Sequence, residues 1–179
     1  MRETLKSLGR AAALVLVLPS LASYAVRSRM LGKDRALEGS TQALALIPGI
    51  IGQYLRQAFL SRTLAHCHPT ATISFGTLFS QTGARIDEHV YVGAYCHLGR
   101  VHLEPDVLVG SGVHITSGRH THGTGDLSRS IREQGGARSL VRIGTGAWIG
   151  SAAVVMADVG RSEEHTSELQ SHSFISYAV

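Results

Sequence analysis

The C-terminal half of the chain carries an aliphatic residue at nearly every sixth position. The series consists of Ile86, Val92, Leu98, Leu103, Val109, Ile115, Ile143, Ile149 and Val155. Glycine directly follows several of these residues, and a second small or aliphatic residue lies four positions after many of them. A spacing of six differs from the helical period of about 3.6 residues and from the alternation of an ordinary strand. The pattern therefore indicates a repeat.

Six residues can form one short extended face, and three such faces close a triangular coil of roughly eighteen residues with the recurring aliphatic side chains inside. Parallel coils stacked in this way form an all-β solenoid. Glycine after the inward residue would suit a sharp corner, because it tolerates backbone angles denied to other residues. The one five-residue step, from Leu98 to Leu103, predicts a tightened corner.

The repeats also resemble a known family. The segments VYVGAYCHLG, DVLVGSGVHI and VRIGTGAWIGSAAVVMADVG are similar to the repeats of the hexapeptide-repeat acyltransferases, and the resemblance covers about residues 70 to 160. That family, which includes sugar O-acetyltransferases, folds as a left-handed parallel β-helix. The resemblance implies such a helix over residues 66–160, with an irregular first coil at 66–79. Its handedness comes from the resemblance alone, since crossovers are generally right-handed.

Residues 1–65 are predicted to form a separate helical segment that associates with a membrane. Residues 11–26 are predominantly apolar, but a full span needs about 20 apolar residues, and Pro19 interrupts this run. We expect a short, kinked or re-entrant anchor. The alternatives are a cleaved signal peptide, with Ser23 and Ala25 at the cleavage site, and a helix buried against the solenoid.

The charge distribution favours the anchor. Residues 1–63 hold nine Lys and Arg against three Asp and Glu, whereas residues 64–160 hold seven of each class. A basic excess beside an apolar run is typical of a segment resting on an anionic cytoplasmic leaflet. We therefore expect residues 1–60 to bind the cytoplasmic face of a bacterial inner membrane. Nucleic acid is not an expected partner, since no binding motif accompanies the charge.

A second apolar stretch, at 43–51, leads into a predicted helix. Its apolar residues recur at helical spacing at Ile47, Ile51, Leu55 and Phe59. Either this helix covers the open end of the solenoid or it lies at the membrane interface. The interfacial position is the preferred prediction, because it would bring Arg56 and Arg62 close to lipid headgroups.

Residues 116–142 interrupt the six-residue spacing and are rich in Gly, Ser and Arg. Long loops on a rigid scaffold are where functional sites gather. In hexapeptide-repeat acyltransferases a loop at this place carries the catalytic histidine. The sequence GRHTHG, followed by IREQGG and IGTGAWIG, is similar to their pattern and places that role on His120 or His122, with a weak preference for His120. Two solvated loop histidines are the alternative.

The chemistry of acyl transfer requires a group of this kind. A base must take the proton of a hydroxyl as its oxygen attacks a thioester and must then return a proton to the departing thiolate. Imidazole can do both near neutral pH. Backbone N–H groups at a corner would stabilise the oxyanion, and Asp126 and Glu133 are candidates to orient the imidazole.

No metal site is expected. Cys67 and Cys96 match no ligand or redox spacing and should be reduced thiols. His97 and His114 lie about one coil apart, each directly before an inward residue, and should stack on the outer surface. Some proteins with this type of helix are carbonic anhydrases that bind zinc through three histidines, but their Arg/Asp/Gln constellation has no counterpart here. Surface or subunit-contact histidines are favoured.

The resemblance also implies a homotrimer with acetyl-CoA, the acyl donor, bound in the groove between two chains. Trp148 precedes the inward Ile149 and should point outward, and Gly150, Ser151 and Ala152 would belong to that groove. Gly93 stands where related sugar acetyltransferases have Asn, so the acceptor saccharide is not specified.

Residues 161–179 are predicted not to be native. The sequence RSEEHTSELQSH at 161–172 matches the translation of a sequencing-library adapter, and ISYAV at 175–179 matches its continuation. The natural gene is therefore expected to continue in six-residue repeats after Gly160. His165 and His172 are given no function.

Two function classes remain open at this point. The first is an acetyl-CoA-dependent O-acetyltransferase acting on a saccharide or a lipid-linked saccharide, here lacking its last coils. The second is a non-catalytic hexapeptide-repeat scaffold, with a carbonic-anhydrase-like metal site as a weaker third possibility.

Overall fold

The computed structural model of the chain describes residues 2–118, 122–123 and 125–156. Four helices come first: α1 (Arg2–Leu16), α2 (Leu18–Leu31), α3 (Lys33–Ala45) and α4 (Gly49–Thr63). A break at Val17 separates α1 from α2, and Pro19 lies in the first turn of α2, where its missing N–H costs no helical hydrogen bond. The helical part ends close to the predicted boundary at residue 65.

Twelve short strands follow within the described residues. They are β1 (His66–Cys67), β2 (Thr72–Ile73), β3 (Leu78–Phe79), β4 (Arg85–Ile86), β5 (Tyr91–Val92), β6 (His97–Leu98), β7 (Val101–Leu103), β8 (Leu108–Val109), β9 (His114–Ile115), β10 (Val141–Ile143), β11 (Trp148–Ile149) and β12 (Val154–Val155). A 3-10 turn, Ile131–Glu133, lies between β9 and β10.

Every third strand pairs in parallel, which gives three sheets of four strands each. Sheet I contains β1, β4, β7 and β10; sheet II contains β2, β5, β8 and β11; sheet III contains β3, β6, β9 and β12. The chain therefore passes through the three sheets in turn and repeats this circuit, an arrangement compatible with the predicted parallel β-helix. The first coil, predicted to be irregular, pairs in regular register with the second.

The predicted inward positions form the core. Ile86, Leu98 and Leu103 have no exposed surface, and Ile149 near the end of the described coils is 5% exposed. Tyr91 and Leu108, which precede the inward Val92 and Val109, point outward and are 43% and 49% exposed. The predicted tightened corner is confirmed: only residues 99–100 separate β6 from β7.

The recurring glycines have a different cause from the one expected. Gly93 and Gly110 do not have positive φ values. A Cβ atom on Gly93 would lie 2.6 Å from the backbone of Gly110, and one on Gly110 would lie 2.6 Å from the backbone N of Ser151. These glycines are needed because the next coil packs directly against them. The expectation that they supply unusual backbone angles was wrong.

Left-handed backbone occurs instead at the third residue after the inward one. After the first corner, every connection from sheet I to II or from II to III has such a residue: Gly76, His89, Tyr95, Asp106, Gly112, Gly146 and Ala152. The N–H groups of Gly112 and Ala152 donate to carbonyls of the preceding coil, Ala94 O and Ser111 O, both at 2.8 Å. The corner thus links neighbouring coils.

Helices α3 and α4 cover the first coil. Helix α3 contacts β3, and α4 contacts β1 and β2. Arg56 on α4 is 2% exposed, and its guanidinium donates to the carbonyl oxygens of Ile73 (3.0 Å), Leu44 (3.1 Å) and Ile47 (2.8 Å). The prediction that Arg56 lies at lipid headgroups was therefore wrong, and α4 takes the alternative role of a cap over the first coil.

Apolar side chains remain exposed on the helices. They include Val15 and Leu16 on α1, Val26 and Met30 on α2, and Ile51 on α4. No single helix in the described part of the chain is long and apolar enough to cross a bilayer. The segments Lys6–Leu16 and Leu18–Leu31, which meet at a bend of 47°, satisfy the length and composition criteria only as a pair.

Candidate functional site

The three edges of the coil differ in length. Connections from sheet I to II and from II to III, which we call the regular edges, run from 68–71 through 150–153 with constant length. Connections from sheet III back to sheet I, which we call the variable edge, span residues 80–84, then 99–100, then 116–140. The predicted excursion at 116–142 thus lies at the variable edge, and its last two residues belong to β10.

The two ends of this long loop are held together. Ser139 N donates to Ser117 O at 2.8 Å. Below this pair, Arg100 N donates to Ser117 Oγ at 3.0 Å, and the Arg100 guanidinium donates to Arg138 O at 3.3 Å. The loop therefore begins and ends at one fixed point on the scaffold.

Asp126 and Gln134 organise the outer part of the loop. Asp126 Oδ1 accepts hydrogen bonds from Ser128 N (2.9 Å) and Ser128 Oγ (2.6 Å), which hold the pKa of this carboxyl below its ordinary value. Gln134 Nε2 donates to Asp126 O at 2.7 Å. The described contacts place neither Asp126 nor Glu133 against a histidine, so the predicted orienting role has no support.

One of the two candidate base histidines lies within the described residues. His120 lies outside the described residues. His122 is exposed, and none of the hydrogen bonds within the described part of the chain involves its ring. An exposed imidazole can be reached by a substrate, as a general base requires.

A cleft of about 650 Å³ lies beside the variable edge. One wall consists of the turn between α2 and α3 together with the start of α3, from Leu31 to Glu38. The other wall consists of sheet III and the variable edge itself. Arg138 at the end of the loop also lines the cleft. We call the connection at 116–140 the histidine loop. A ligand in this cleft would contact the helices, the scaffold and the base of the histidine loop together.

His97 and His114 lie on the outer face of sheet III, where their strands pair in register. Their ring centroids are 6.0 Å apart in an edge-to-face arrangement, which confirms the predicted stacking. Both rings line the cleft. The sequence did not reveal this, because the second wall comes from helices more than fifty residues away and their packing has no periodic signal.

The predicted acetyl-CoA residues lie outside the cleft. Trp148 points outward from sheet II and is 59% exposed, as predicted. Gly150, Ser151 and Ala152 form the corner that leads into β12 of sheet III. This corner and the loop lie at opposite ends of the short strands of sheet III, so a donor at the corner could extend across one strand toward the loop.

A histidine and carboxylate pair that the sequence analysis missed lies on sheet I. His102 Nε2 lies 2.8 Å from Asp87 Oδ2, and His66 Nε2 lies 3.8 Å from Asp87 Oδ1. His66 is in β1 and His102 in β7, on the same sheet two strands apart. Within the described residues no group of three or more His, Cys, Asp or Glu could hold a metal ion.

The two cysteines are buried and not bonded to each other. Burial raises the pKa of the Cys67 thiol to about 12 and also raises that of Cys96. A thiol with such a pKa stays protonated at neutral pH and is a poor nucleophile. The site chemistry therefore does not involve these residues.

Comparison of the chain with family models, curated proteins and solved structures gives no match. The resemblance to the hexapeptide-repeat acyltransferases therefore depends on the segments quoted above. The three-sheet architecture is compatible with it.

Proposed function

We propose that the chain is an acyltransferase related to the hexapeptide-repeat family, with a left-handed coil, that moves an acetyl group from acetyl-CoA to a hydroxyl of a saccharide or lipid-linked saccharide. The observation that carries the proposal is the position of the histidine loop. It leaves the scaffold at the variable edge, with its ends fixed at Ser117 and Ser139, beside the cleft of about 650 Å³.

In the proposed reaction, His120 or His122 takes the proton of the acceptor hydroxyl while the hydroxyl oxygen attacks the thioester carbonyl. The carbon–sulfur bond then breaks, and the imidazolium returns the proton to the thiolate. Backbone N–H groups would stabilise the oxyanion between these steps. The exposed indole of Trp148 offers an apolar surface for the donor near Gly150, Ser151 and Ala152.

We also propose a homotrimer as the assembled form. The outward column of sheet II contains Tyr91, Leu108 and Trp148, which are paired in register and exposed. A second chain packed on this column would bury the apolar side chains and close a groove for acetyl-CoA. Sedimentation at monomer mass under all conditions would contradict the trimer.

The proposed location is the cytoplasmic face of a bacterial inner membrane. It is supported by the exposed apolar side chains of α1 and α2 and by the basic excess of residues 1–63. Such a segment would bind an anionic leaflet through both apolar burial and charge.

The test is release of CoA thiol from acetyl-CoA with a panel of saccharide acceptors. The assay is run on the 179-residue chain and on the same chain without residues 161–179, because residues 161–172 and 175–179 are predicted to derive from adapter DNA. We expect acceptor-dependent release that falls at least about a hundredfold in His120→Ala or in His122→Ala, the typical contribution of a general base.

His89→Ala is the matched control, because His89 is also exposed but lies at a regular edge. Its activity should equal that of the parent. Full activity in both loop variants would overturn the assignment of the base. A trimer that releases no thiol with any acceptor would favour the second candidate, a non-catalytic scaffold, which the exposed column of sheet II could serve by assembly alone.

A further inference from the structure

The helical wall of the cleft is fixed to the scaffold by specific contacts. Asp34 Oδ1, in the first turn of α3, accepts hydrogen bonds from Thr82 N (2.8 Å) and Thr82 Oγ1 (2.7 Å) at the variable edge. Arg27 of α2 donates to Ser40 Oγ of α3 at 2.7 Å. The turn between α2 and α3 is therefore held in place, and the cleft is a built feature of the fold.

Positive charge dominates the polar lining of the cleft. Lys33, Arg35 and Arg138 line it and are exposed, and within the described part of the chain their side-chain nitrogens have no hydrogen bond or ion pair. Of the two carboxylates that line it, Asp34 is committed to Thr82, which leaves Glu38. Cations converging on a concave surface match a phosphate group, with which lysine and arginine form charge-assisted hydrogen bonds.

The wall of the cleft formed by sheet III and the variable edge suits sugar hydroxyls. His97 and His114 present two imidazole rings from sheet III, and Gln81 and Thr116 add an amide and a hydroxyl from the variable edge. A few convergent polar groups in a concave site are what orients a small polar ligand. This wall therefore complements a saccharide, whereas the cations of the cleft complement a phosphate attached to the saccharide.

An apolar stripe leads to the mouth of the cleft. Leu18, Ala22, Val26 and Met30 recur every four residues on α2 and are all exposed; Met30 is 77% exposed. Leu31, 53% exposed, follows directly and lines the cleft. Residues four apart lie on one face of a helix. A hydrocarbon chain attached to the phosphate could therefore leave the cleft along α2.

From these features we propose that the cleft binds the acceptor as a phosphate-linked saccharide on a lipid carrier. The phosphate contacts Lys33, Arg35 and Arg138, the saccharide lies against His97 and His114, and the lipid chain lies along the exposed stripe of α2. One consequence of this inference rests on the proposed transferase function: the bound saccharide would deliver a hydroxyl to the histidine loop. The binding itself can be measured without catalysis.

The experiment measures binding of the full chain to two probes. One is polyprenyl phosphate–glucose in phosphatidylcholine vesicles, followed by flotation, and the other is glucose 1-phosphate in solution, followed by calorimetry. We expect both to bind, the vesicle probe more tightly, and the Lys33→Ala/Arg138→Ala variant to lose about tenfold or more for both, as expected for lost charge-assisted contacts. Arg85→Ala removes an exposed charge outside the cleft and should bind as the parent does.

A separate variant tests the contact between the lipid chain and α2. Val26→Ser/Met30→Ser changes two exposed residues of the stripe that do not line the cleft; it should weaken vesicle binding by several-fold and leave binding of glucose 1-phosphate unchanged. Equal binding to plain phosphatidylcholine vesicles, or unchanged affinity in Lys33→Ala/Arg138→Ala, would overturn the inference. Thiol release with neutral free sugars but no binding of either probe would overturn the inference and leave the transferase function in place. Probe binding without thiol release would support the cleft assignment and remove the transferase function.

Discussion

The regular edges and the variable edge of the coil follow different physical rules. At the regular edges each corner has the same length and, after the first corner, a left-handed residue at the same position. At the edge from sheet II to III, Gly93 and Gly110 also lie directly against the next coil. At the variable edge the connections have different lengths, α3 is attached through Asp34, and the histidine loop leaves the scaffold. The length of the corner is therefore constant at two edges of the coil, and it varies at the third, where the histidine loop and the cleft lie.

This difference follows from how stacked coils pack. A corner with backbone on both sides tolerates neither added atoms nor added residues. A connection that faces a cleft can lengthen at small entropic cost. Substitutions at the two kinds of edge test this contrast.

The largest effect is expected at the glycine of a regular edge. Gly110→Ala would place a Cβ 2.6 Å from the backbone N of Ser151, and relieving this overlap should cost about 1–3 kcal/mol of unfolding free energy. Gly150→Ala is the matched control, since no described atom lies within 4 Å of its Cβ position. Denaturant titration measures both. Equal destabilisation by the two variants would contradict the packing explanation.

A smaller effect is expected where the helices join the variable edge. Asp34→Ala removes the acceptor of two hydrogen bonds from Thr82 and should lower the unfolding free energy by about 1–2 kcal/mol. The side chain of Glu38, one turn later on the same helix, has no hydrogen bond to another described residue, so Glu38→Ala should change the unfolding free energy by less than about 0.5 kcal/mol. If Asp34→Ala is as stable as Glu38→Ala, the attachment of α3 is not energetically significant.

Two left-handed positions give paired effects of opposite sign. Gly112 has φ +69° and Ala152, one coil later, has φ +62°. Gly112→Ala should destabilise and Ala152→Gly should stabilise, each by about 1 kcal/mol, because only glycine adopts this region without a steric penalty. Thermal unfolding of the two variants checks the sign. Shifts in the same direction would show that the corner conformation is not the cause.

The smallest effect concerns a surface carboxylate at a regular edge. Glu104 accepts hydrogen bonds from Arg142 Nη1 (2.8 Å), Thr145 N (3.0 Å) and Thr145 Oγ1 (3.0 Å), which lower its pKa. Its contribution to stability is present above the ordinary pKa of a glutamate and is lost as the pH falls through the lowered value. The stability difference between the parent and Glu104→Gln should therefore shrink from pH 6 to pH 3. A constant difference would contradict this coupling.

The solenoid could be predicted because its inward side chains occur at a fixed spacing. The spacing of residues such as Ile86, Leu98 and Val109 therefore predicts the coil without information about what packs outside it. The position of Arg56 could not be predicted, because an arginine at helical spacing is compatible with solvent, headgroups or a ring of buried carbonyls. Only the tertiary contact with Ile73 and Leu44 decides between them.

Only part of the candidate site could be predicted from the sequence. The loss of periodicity marked the loop, and residue type marked His120 and His122. The cleft was not predictable, because the wall opposite His97 and His114 depends on how the turn between α2 and α3 docks. The role of Gly93 and Gly110 was also missed, because a glycine needed for close approach looks the same in a sequence as one needed for a left-handed angle.

The most direct test removes the loop from the variable edge. Ser117 and Ser139 are already hydrogen-bonded across its base, so residues 119–138 can be replaced by one glycine without moving β9 or β10. The measurement is the rate of CoA thiol release by this chain once its unfolding midpoint shows that it is folded. We expect an unfolding midpoint within a few degrees of the parent and no acceptor-dependent release of thiol. Release at the parental rate from the folded, loop-free chain would contradict it.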